Sequence, residues 1–380
     1  MGLSFTFHSP TKILFGRGSL QELGEQVKRL GGKALLVTGR RFVRRYGYID
    51  RLTSLMEEAG VKVALFDRVE PNPSFETVEE GASTAREMDV DVVVGFGGGS
   101  ALDAAKAIAL LCVQGGRAKD YVYPYVVEEP VLPIVAVPTT CGTGSEVTKF
   151  SVLTDVGAKR KTVVAGGPLI PKVAILDPEV LRHLPRDLTV YTALDAFSHA
   201  LEAYWSKASQ PISDLFALES MKILLKDLEK AAQDVEARDV LHYASLLAGL
   251  AINQAGTTVV HAMGYYLTTY HDVHHGLSNA VFLPVAVRLN APAIPDKVSR
   301  LADYLGLEYE SVEAAARLIE ESLARLEDRL GVPRRLGELG VDRSEVEVFV
   351  KETLSYRRNI ENNPRELTED DVRSLFMEII

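Results

Sequence analysis

The apolar residues of this chain change their period once, near residue 178. Before that point KALLVT (33–38), KVALF (62–66), VDVVVGF (90–96) and IVAV (134–137) are short, almost continuous apolar runs separated by amphipathic stretches of helical spacing. Runs of that length and composition are strands buried on both faces, and their alternation with helices calls for a parallel, doubly wound sheet. The last such run is VAIL, followed by Asp177-Pro178. Beyond it, residues 213–234, 238–254 and 312–330 carry helical periodicity, with Glu320, Glu321 and Arg325 spaced for ion pairs along an exposed face. The expected architecture is an α/β domain over residues 1–178 and an all-helical domain over residues 179–380, packed face to face with a cleft between them.

A chain of 380 residues suits two ordinary domains, and a 47% hydrophobic, 25% charged composition leaves no tract that resists folding. Lys and Arg number 42 against 52 Asp and Glu, and the resulting charge of -10 argues against general attraction to nucleic acid or to an anionic membrane. Small-molecule chemistry is the better expectation. Two cysteines, Cys112 and Cys141, are too few for a disulfide framework and form no CxxC pair, which fits a reducing compartment. The N-terminal MGLSFTFHSPTK lacks a basic stretch followed by an apolar core, and no apolar run is long enough to span a bilayer. A soluble, cytoplasmic protein is expected. Met1-Gly2 opens a lipidation pattern that only Thr6 extends, and it is set aside. Abundant Glu and Arg with few Asn and Gln point to a thermophilic source.

The segment GFGGGSALDAAKAIALL follows the most strand-like run and opens into a helix. Gly97, Gly98 and Gly99 let backbone N–H groups approach an anion, and the helix beginning near Ser100 adds partial positive charge where a pyrophosphate would sit. A second loop, PTTCGTGSEVT, follows IVAV and gathers the hydroxyls of Thr139, Thr140, Thr143 and Ser145. Two polar loops at the carboxyl ends of strands in one open sheet together predict nucleotide binding. The strand KALLVT ends in Gly39, Arg40 and Arg41, where an acidic residue would instead hold the ribose hydroxyls of NAD. Glycine followed by arginine leaves room and charge for a 2′-phosphate, so NADP is expected, with NAD as the alternative.

TALDAFSHALEAY, residues 192–204, reads as an apolar helix that sets Asp195 and His199 four residues apart on one face. A carboxylate there is costly without a cation or a full set of hydrogen bonds. Carboxylate oxygen and neutral imidazole are ligands for divalent metals. Four of the eight histidines lie within TTVVHAMGYYLTTYHDVHHG. His261 falls on an apolar helical stretch, and His274 and His275 precede Gly276.

GGGSALDAAK, PTTCGTGSEVT, ALDAFSHALEAY and the HHG segment, in this order, resemble the iron-containing, group III alcohol dehydrogenases, and the resemblance runs from TKILFG to NNPRELTEDDV. It implies a dehydroquinate synthase-like subunit in which an NAD(P)-binding α/β half precedes a helical half, with Fe²⁺ held by one Asp and three His. Carried over residue by residue, the ligands are Asp195, His199, His261 and His275, the last because the family's ligand directly precedes the glycine. Gly97, Gly98, Gly99 and Ser100 match the pyrophosphate loop, with Asp103 in the same motif, and Thr139, Thr140 and Thr143 match the second cofactor loop. Asn72 in EPNPSF and Lys161 fall where similar proteins touch the cofactor. Similar proteins are often dimers pairing through the N-terminal domain, so a homodimer is expected. One position departs from the pattern: many members carry a further His four residues after the third ligand, where this chain has Tyr265. Tyr265 or His271 then becomes the candidate for the proton path.

The implied reaction is reversible oxidation of a primary alcohol to an aldehyde with NADP⁺. Two alternatives stay open, a zinc-dependent glycerol or polyol dehydrogenase and a metal-dependent lyase like dehydroquinate synthase.

Overall fold

In the computed structural model of the chain, which describes residues 4–380 and so leaves Met1-Gly2 outside, the residues fall into two compact units. One comprises Ser9–Thr140 and Gly144–Leu184; the other comprises Pro185–Ile380, the segment ending at His8, and Cys141–Thr143.

The first unit is built on a six-stranded sheet. Its strands are β1 (Lys12–Phe15), β2 (Lys33–Gly39), β3 (Lys62–Val69), β4 (Val92–Gly97), β5 (Ile134–Pro138) and, after a separate hairpin of β6 (Phe150–Asp155) and β7 (Arg160–Ala165), β8 (Val173–Leu176). The order across the sheet is β1-β8-β5-β4-β2-β3, and every pairing in it is parallel. Because side chains alternate across a strand, Leu35, Val37 and Val93 face one hydrophobic layer while Ala34, Leu36, Val92 and Val94 face another. The first layer is closed by the helices Phe75–Glu87 and Gly99–Gln114, the second by Leu23, Leu52 and Met56. This is the parallel α/β architecture expected for the first half. The chain lays β3 on one side of β2 and then returns to lay β4 on the other, so the strand order reverses between β2 and β4. Ligands of open α/β sheets bind at the carboxyl ends of the strands flanking such a reversal, and here those ends are Gly39 and Gly97.

Two features were not foreseen. The β6–β7 hairpin is antiparallel and alternates buried with half-buried residues, so it offers no continuous apolar run. Strand β1 is partly exposed at the edge of the sheet, and its four residues are too few to show a period.

The second unit is helical. Its central helix, Arg186–Trp205, has every residue from Thr192 to Trp205 buried, which is why the segment is apolar all round instead of striped. The helices Pro211–Gln233, Asp239–Ala255 and His275–Ala280 pack around it, with Val259–Tyr270 alongside. Among the described residues no helix is long and apolar enough to cross a membrane.

Candidate active site

The central helix carries Asp195 and His199, 3% and 6% exposed, one turn apart on a shared face. Val259–Tyr270 adds His261, and His275 is the first residue of the short helix His275–Ala280. Gly276 explains that placement: a Cβ there would stand 1.9 Å from the Tyr191 carbonyl oxygen and 3.1 Å from Asp195 Cβ. Only glycine lets the start of this helix press against the central one, which brings the preceding histidine beside Asp195.

The Nε2 atoms of His199, His261 and His275 lie 3.9, 4.0 and 3.8 Å from Asp195 Oδ1. Such separations are too long for hydrogen bonds. They approach the spacing of about 3.4 Å expected between ligand atoms placed tetrahedrally about 2.1 Å from one ion. Asp195, His199 and His261 each offer a ligand atom within 4.8 Å of the others, and His275 joins them through its contact with Asp195.

Two of the remaining ring nitrogens are turned outward and held. His199 Nδ1 is 3.1 Å from the Gly142 carbonyl oxygen, and His261 Nδ1 meets Glu202 Oε2 in a short contact. Each acceptor draws the ring hydrogen to Nδ1 and leaves a lone pair on Nε2. Asn279 completes the pattern, its Nδ2 donating to Asp195 Oδ1 at 2.9 Å and lying 3.3 and 3.4 Å from the Nε2 atoms of His261 and His275. Asn279 Oδ1 is buried with no hydrogen-bond partner among the described residues. The cluster is therefore rich in acceptors, which is the chemistry of a divalent cation site. Burial pushes the His199 imidazole toward its neutral form. Burial would raise the Asp195 carboxyl, but His199, His275, His261 and Asn279 outweigh that and hold it below the ordinary carboxylate range. The neutral imidazole of His199 and the ionised Asp195 are ligand forms a metal requires, whereas at His261 burial is outweighed by Glu202 and Asp195, which raise its imidazole.

Glu202 and Asn279 escaped the sequence reading. Glu202 could have been found by the argument that exposed Asp195, since it too is a carboxylate on an apolar helix, one turn past His199. Asn279 had no signal beyond lying four residues after His275.

Of the two residues named for the proton path, Tyr265 stands at the cluster: its ring stacks on His275 with centroids 5.6 Å apart and planes 7° off parallel, and it meets His261 edge-on. His271 is held elsewhere, with Nε2 2.7 Å from Glu345 Oε2 and its ring beside Tyr266.

The predicted cofactor residues of the α/β unit gather at the carboxyl end of β4. Gly97 has φ +154°, and a Cβ on it would lie 2.6 Å from Ala101 Cβ, so the turn from strand to helix needs glycine. Gly98 precedes the helix Gly99–Gln114 without a side-chain cap, and its carbonyl accepts from Ala101 N–H at 3.0 Å. Thr139 N–H donates to the Gly97 carbonyl at 2.9 Å, which ties the second loop, with Thr140, to the first. Asn72 N–H donates to Ser100 Oγ at 3.1 Å, Thr154 Oγ1 donates to the Asn72 carbonyl at 3.0 Å, and Lys161 Nζ donates to Thr154 Oγ1 at 3.2 Å. Burial lowers the Lys161 ammonium to about 8. Asp103 is turned inward, accepting from Ser145 Oγ at 2.6 Å and from Val152 N–H at 2.9 Å. Thr143 belongs to the Cys141–Thr143 segment of the helical unit. Gly39 ends β2, and Arg40 follows it exposed at the start of a short helix, Arg40–Arg45.

Comparison with known proteins agrees with this geometry. Residues 10–178 match the family model described as iron-containing alcohol dehydrogenase, and residues 189–380 match that of the family's C-terminal domain. An NAD-dependent methanol dehydrogenase of Bacillus methanolicus is 35% identical over 97% of this chain and 98% of its own length. An NADPH-dependent butanol dehydrogenase of Clostridium saccharobutylicum is 33% identical over 97% of this chain and 96% of its own. A crystal structure of 1,3-propanediol oxidoreductase superposes with a TM-score of 0.94 at 35% identity, covering 99% of this chain and 100% of the other. With both halves matched in order and the histidine cluster in place, the chain belongs to the iron-containing alcohol dehydrogenase family and is an NAD(P)-dependent oxidoreductase acting on CH–OH groups.

Proposed function

We propose that the protein interconverts a primary alcohol and its aldehyde with NADP(H), using Fe²⁺ held by Asp195, His199, His261 and His275. The observation that carries this is the set of three imidazole Nε2 atoms 3.8–4.0 Å from one oxygen of Asp195. A divalent ion there would supply Lewis acidity to the substrate hydroxyl, and the nicotinamide would supply the hydride acceptor. Four protein ligands favour iron over the three of a zinc polyol dehydrogenase.

The chain's own groups take defined parts. Residues 1–178 serve the cofactor and residues 179–380 the metal and substrate. Gly97, Gly98, Gly99 and Ser100 offer backbone N–H groups and a helix N-terminus to the pyrophosphate, and the hydroxyls of Thr139, Thr140 and Thr143 are assigned to the same cofactor. Asn72 and Lys161 are oriented through Thr154 for the cofactor as well, and Asp103 supports the loop through Ser145. Gly39 and Arg40 favour the 2′-phosphate. Tyr265 is the stronger candidate for the proton path because of its stacking on His275, whereas the bond of His271 to Glu345 counts against it.

A cytoplasmic homodimer from a thermophile completes the proposal. Cys112 and Cys141 are both unpaired, as in a reducing compartment. Arg288 bridges Glu320 and Glu378, and Arg373 reaches Glu347, Glu369 and Asp370, which are the ion-pair networks favoured at high temperature.

The test is anaerobic NADP⁺ reduction by butan-1-ol with metal-stripped protein, before and after adding Fe²⁺. Activity restored by Fe²⁺ is expected. Activity with Zn²⁺ and a polyol alone would move the assignment to the polyol dehydrogenases, and turnover without net NADPH would move it to a lyase.

A further inference from the structure

Glu202 is fully buried, one turn beyond His199 on the central helix. Its Oε1 accepts the backbone N–H groups of Thr258 at 2.9 Å, Val260 at 2.8 Å and His261 at 3.3 Å, together with the Thr258 hydroxyl at 2.8 Å. Those are the orphan donors at the start of the helix Val259–Tyr270. With so many hydrogens aimed at it, the carboxylate is fixed as an acceptor-only group. Its other oxygen contacts His261 Nδ1 and can be satisfied only if the ring hydrogen sits there. In the neutral ring the lone pair is then on Nε2, the atom 4.0 Å from Asp195 Oδ1.

We infer that Glu202 is a positioning residue of the metal centre: it sets the tautomer and rotation of His261 and anchors that ligand to the N-terminus of its own helix. The inference rests on the proposed metal assignment. His199 receives the corresponding support from a neutral carbonyl, that of Gly142. A carboxylate is the stronger acceptor, so His261 is the more basic ligand and the one whose support matters more for affinity.

Glu202→Gln tests this directly. If the glutamine oxygen takes the three backbone amides, its NH₂ must face His261 Nδ1 and donate to it, which moves the ring hydrogen to Nε2 and blocks ligation. The opposite rotamer sets NH₂ against three N–H donors. Affinity for Fe²⁺ and Zn²⁺, measured by competition with a fluorescent chelator, should fall about 10- to 100-fold. Thr258→Val removes one hydrogen bond to the same oxygen and the acceptor of Trp205 Nε1–H yet leaves the Glu202–His261 contact, so it should lower the melting temperature without changing metal affinity. If Glu202→Gln does not fold, ¹⁵N-histidine NMR of the unaltered metal-free protein, with His261 assigned by its loss in His261→Gln, should show the Nδ1–H tautomer. An Nε2–H tautomer, or equal metal affinity in Glu202→Gln and wild type, overturns the inference. So does a Thr258→Val protein as weak in metal binding as Glu202→Gln, because Glu202 would then act only as a helix cap. A wild-type protein that binds neither ion removes the metal assignment itself, a failure distinct from these.

Discussion

Each unit of the molecule buries a polar cluster, and the two are assembled in opposite ways. In the α/β unit Lys106, fully buried, donates from Nζ to Ser145 Oγ at 2.8 Å, to the Phe150 carbonyl at 2.7 Å and to Thr148 Oγ1 at 3.2 Å, with Asp103 at 3.9 Å. Its ammonium group has three acceptors at hydrogen-bonding distance, so the cluster is closed by a cation of its own. In the helical unit a carboxylate oxygen and three imidazole nitrogens face one another at 3.8–4.0 Å, beyond hydrogen-bonding distance. Burial and residue type alone would not separate these clusters. Distances do: the first ties down the loop that follows β5, and the second has the spacing of ligands.

The largest effect should come from breaking the second cluster. Asp195→Ala and His199→Ala should each abolish stoichiometric metal binding and lower kcat/KM on the order of a thousandfold, the rate equivalent of the several kcal/mol a Lewis acid supplies. Elemental analysis and anaerobic assays measure both, and circular dichroism should show the helical content retained. A His199→Ala protein with full metal occupancy would remove it from the ligand set.

Breaking the first cluster should do something different. Lys106→Met leaves Asp103 without its nearest cation and removes the hydrogen bonds to Ser145, Thr148 and Phe150. Loss of one partner of a buried charged pair costs on the order of 3 kcal/mol. Chemical denaturation should show that loss, and NADPH fluorescence titration should show weaker cofactor binding, while metal content stays at the wild-type level. A fall in metal content would show that the two clusters are not independent.

These contrasts also explain what the sequence could reveal. Asp195 and His199 stood out because a carboxylate and an imidazole at i and i+4 have no structural reason to share an apolar helix. His275 could not be chosen over His274 from spacing; the resemblance chose it, and the close approach permitted by Gly276 is the physical reason. The glycine loop was legible because it works through missing side chains. Lys106 was overlooked because a lysine in a helix ordinarily reads as solvent-facing, and its burial depends on loops some forty residues away in the chain. Glu202 was passed over because its partners, Thr258 to His261, start a different helix. The four main strands and the change to helices were legible because apolar runs and periodicity are local, whereas β6–β7 pairing depends on alternation too short to register.

A smaller effect, confined to pH, should follow from Glu146. Its Oε1 is buried without a hydrogen-bond partner among the described residues, and burial pushes the carboxyl up to about 7 in spite of Lys106. Between the ordinary carboxylate range near 4.5 and about 7, the folded state keeps a proton that the unfolded state releases, so this group makes stability fall as pH rises across that window. Below it both states are protonated and the cost vanishes. Glu146→Gln should therefore raise the melting temperature at pH 8 and leave it nearly unchanged at pH 4.5, with a gain on the order of 2 kcal/mol at the higher pH. The metal cluster should contribute nothing to this difference, which can be checked by repeating both melts with and without a chelator.

The smallest effect should lie at the exposed end of β2, where the question is which cofactor the α/β unit prefers. Four arginines follow Gly39, but they are not equivalent. Arg44 is paired with Asp67, and Arg45 lies over the Tyr46 ring at 5.4 Å. Arg40 and Arg41 are exposed immediately after the strand and carry the proposed recognition of a 2′-phosphate. One exposed charge-assisted contact is worth about 1 kcal/mol, so replacing both with alanine should cut the NADP-to-NAD ratio of kcat/KM roughly five- to thirtyfold by raising the KM for NADP. Gly39→Asp should push the ratio further toward NAD, because a carboxylate there accepts ribose hydroxyls and repels the phosphate. If both substitutions leave the ratio unchanged, cofactor preference is set elsewhere in the loop, and the asymmetry between the clusters deepens: the metal site would be specified by four identifiable side chains, and the nucleotide site almost entirely by backbone.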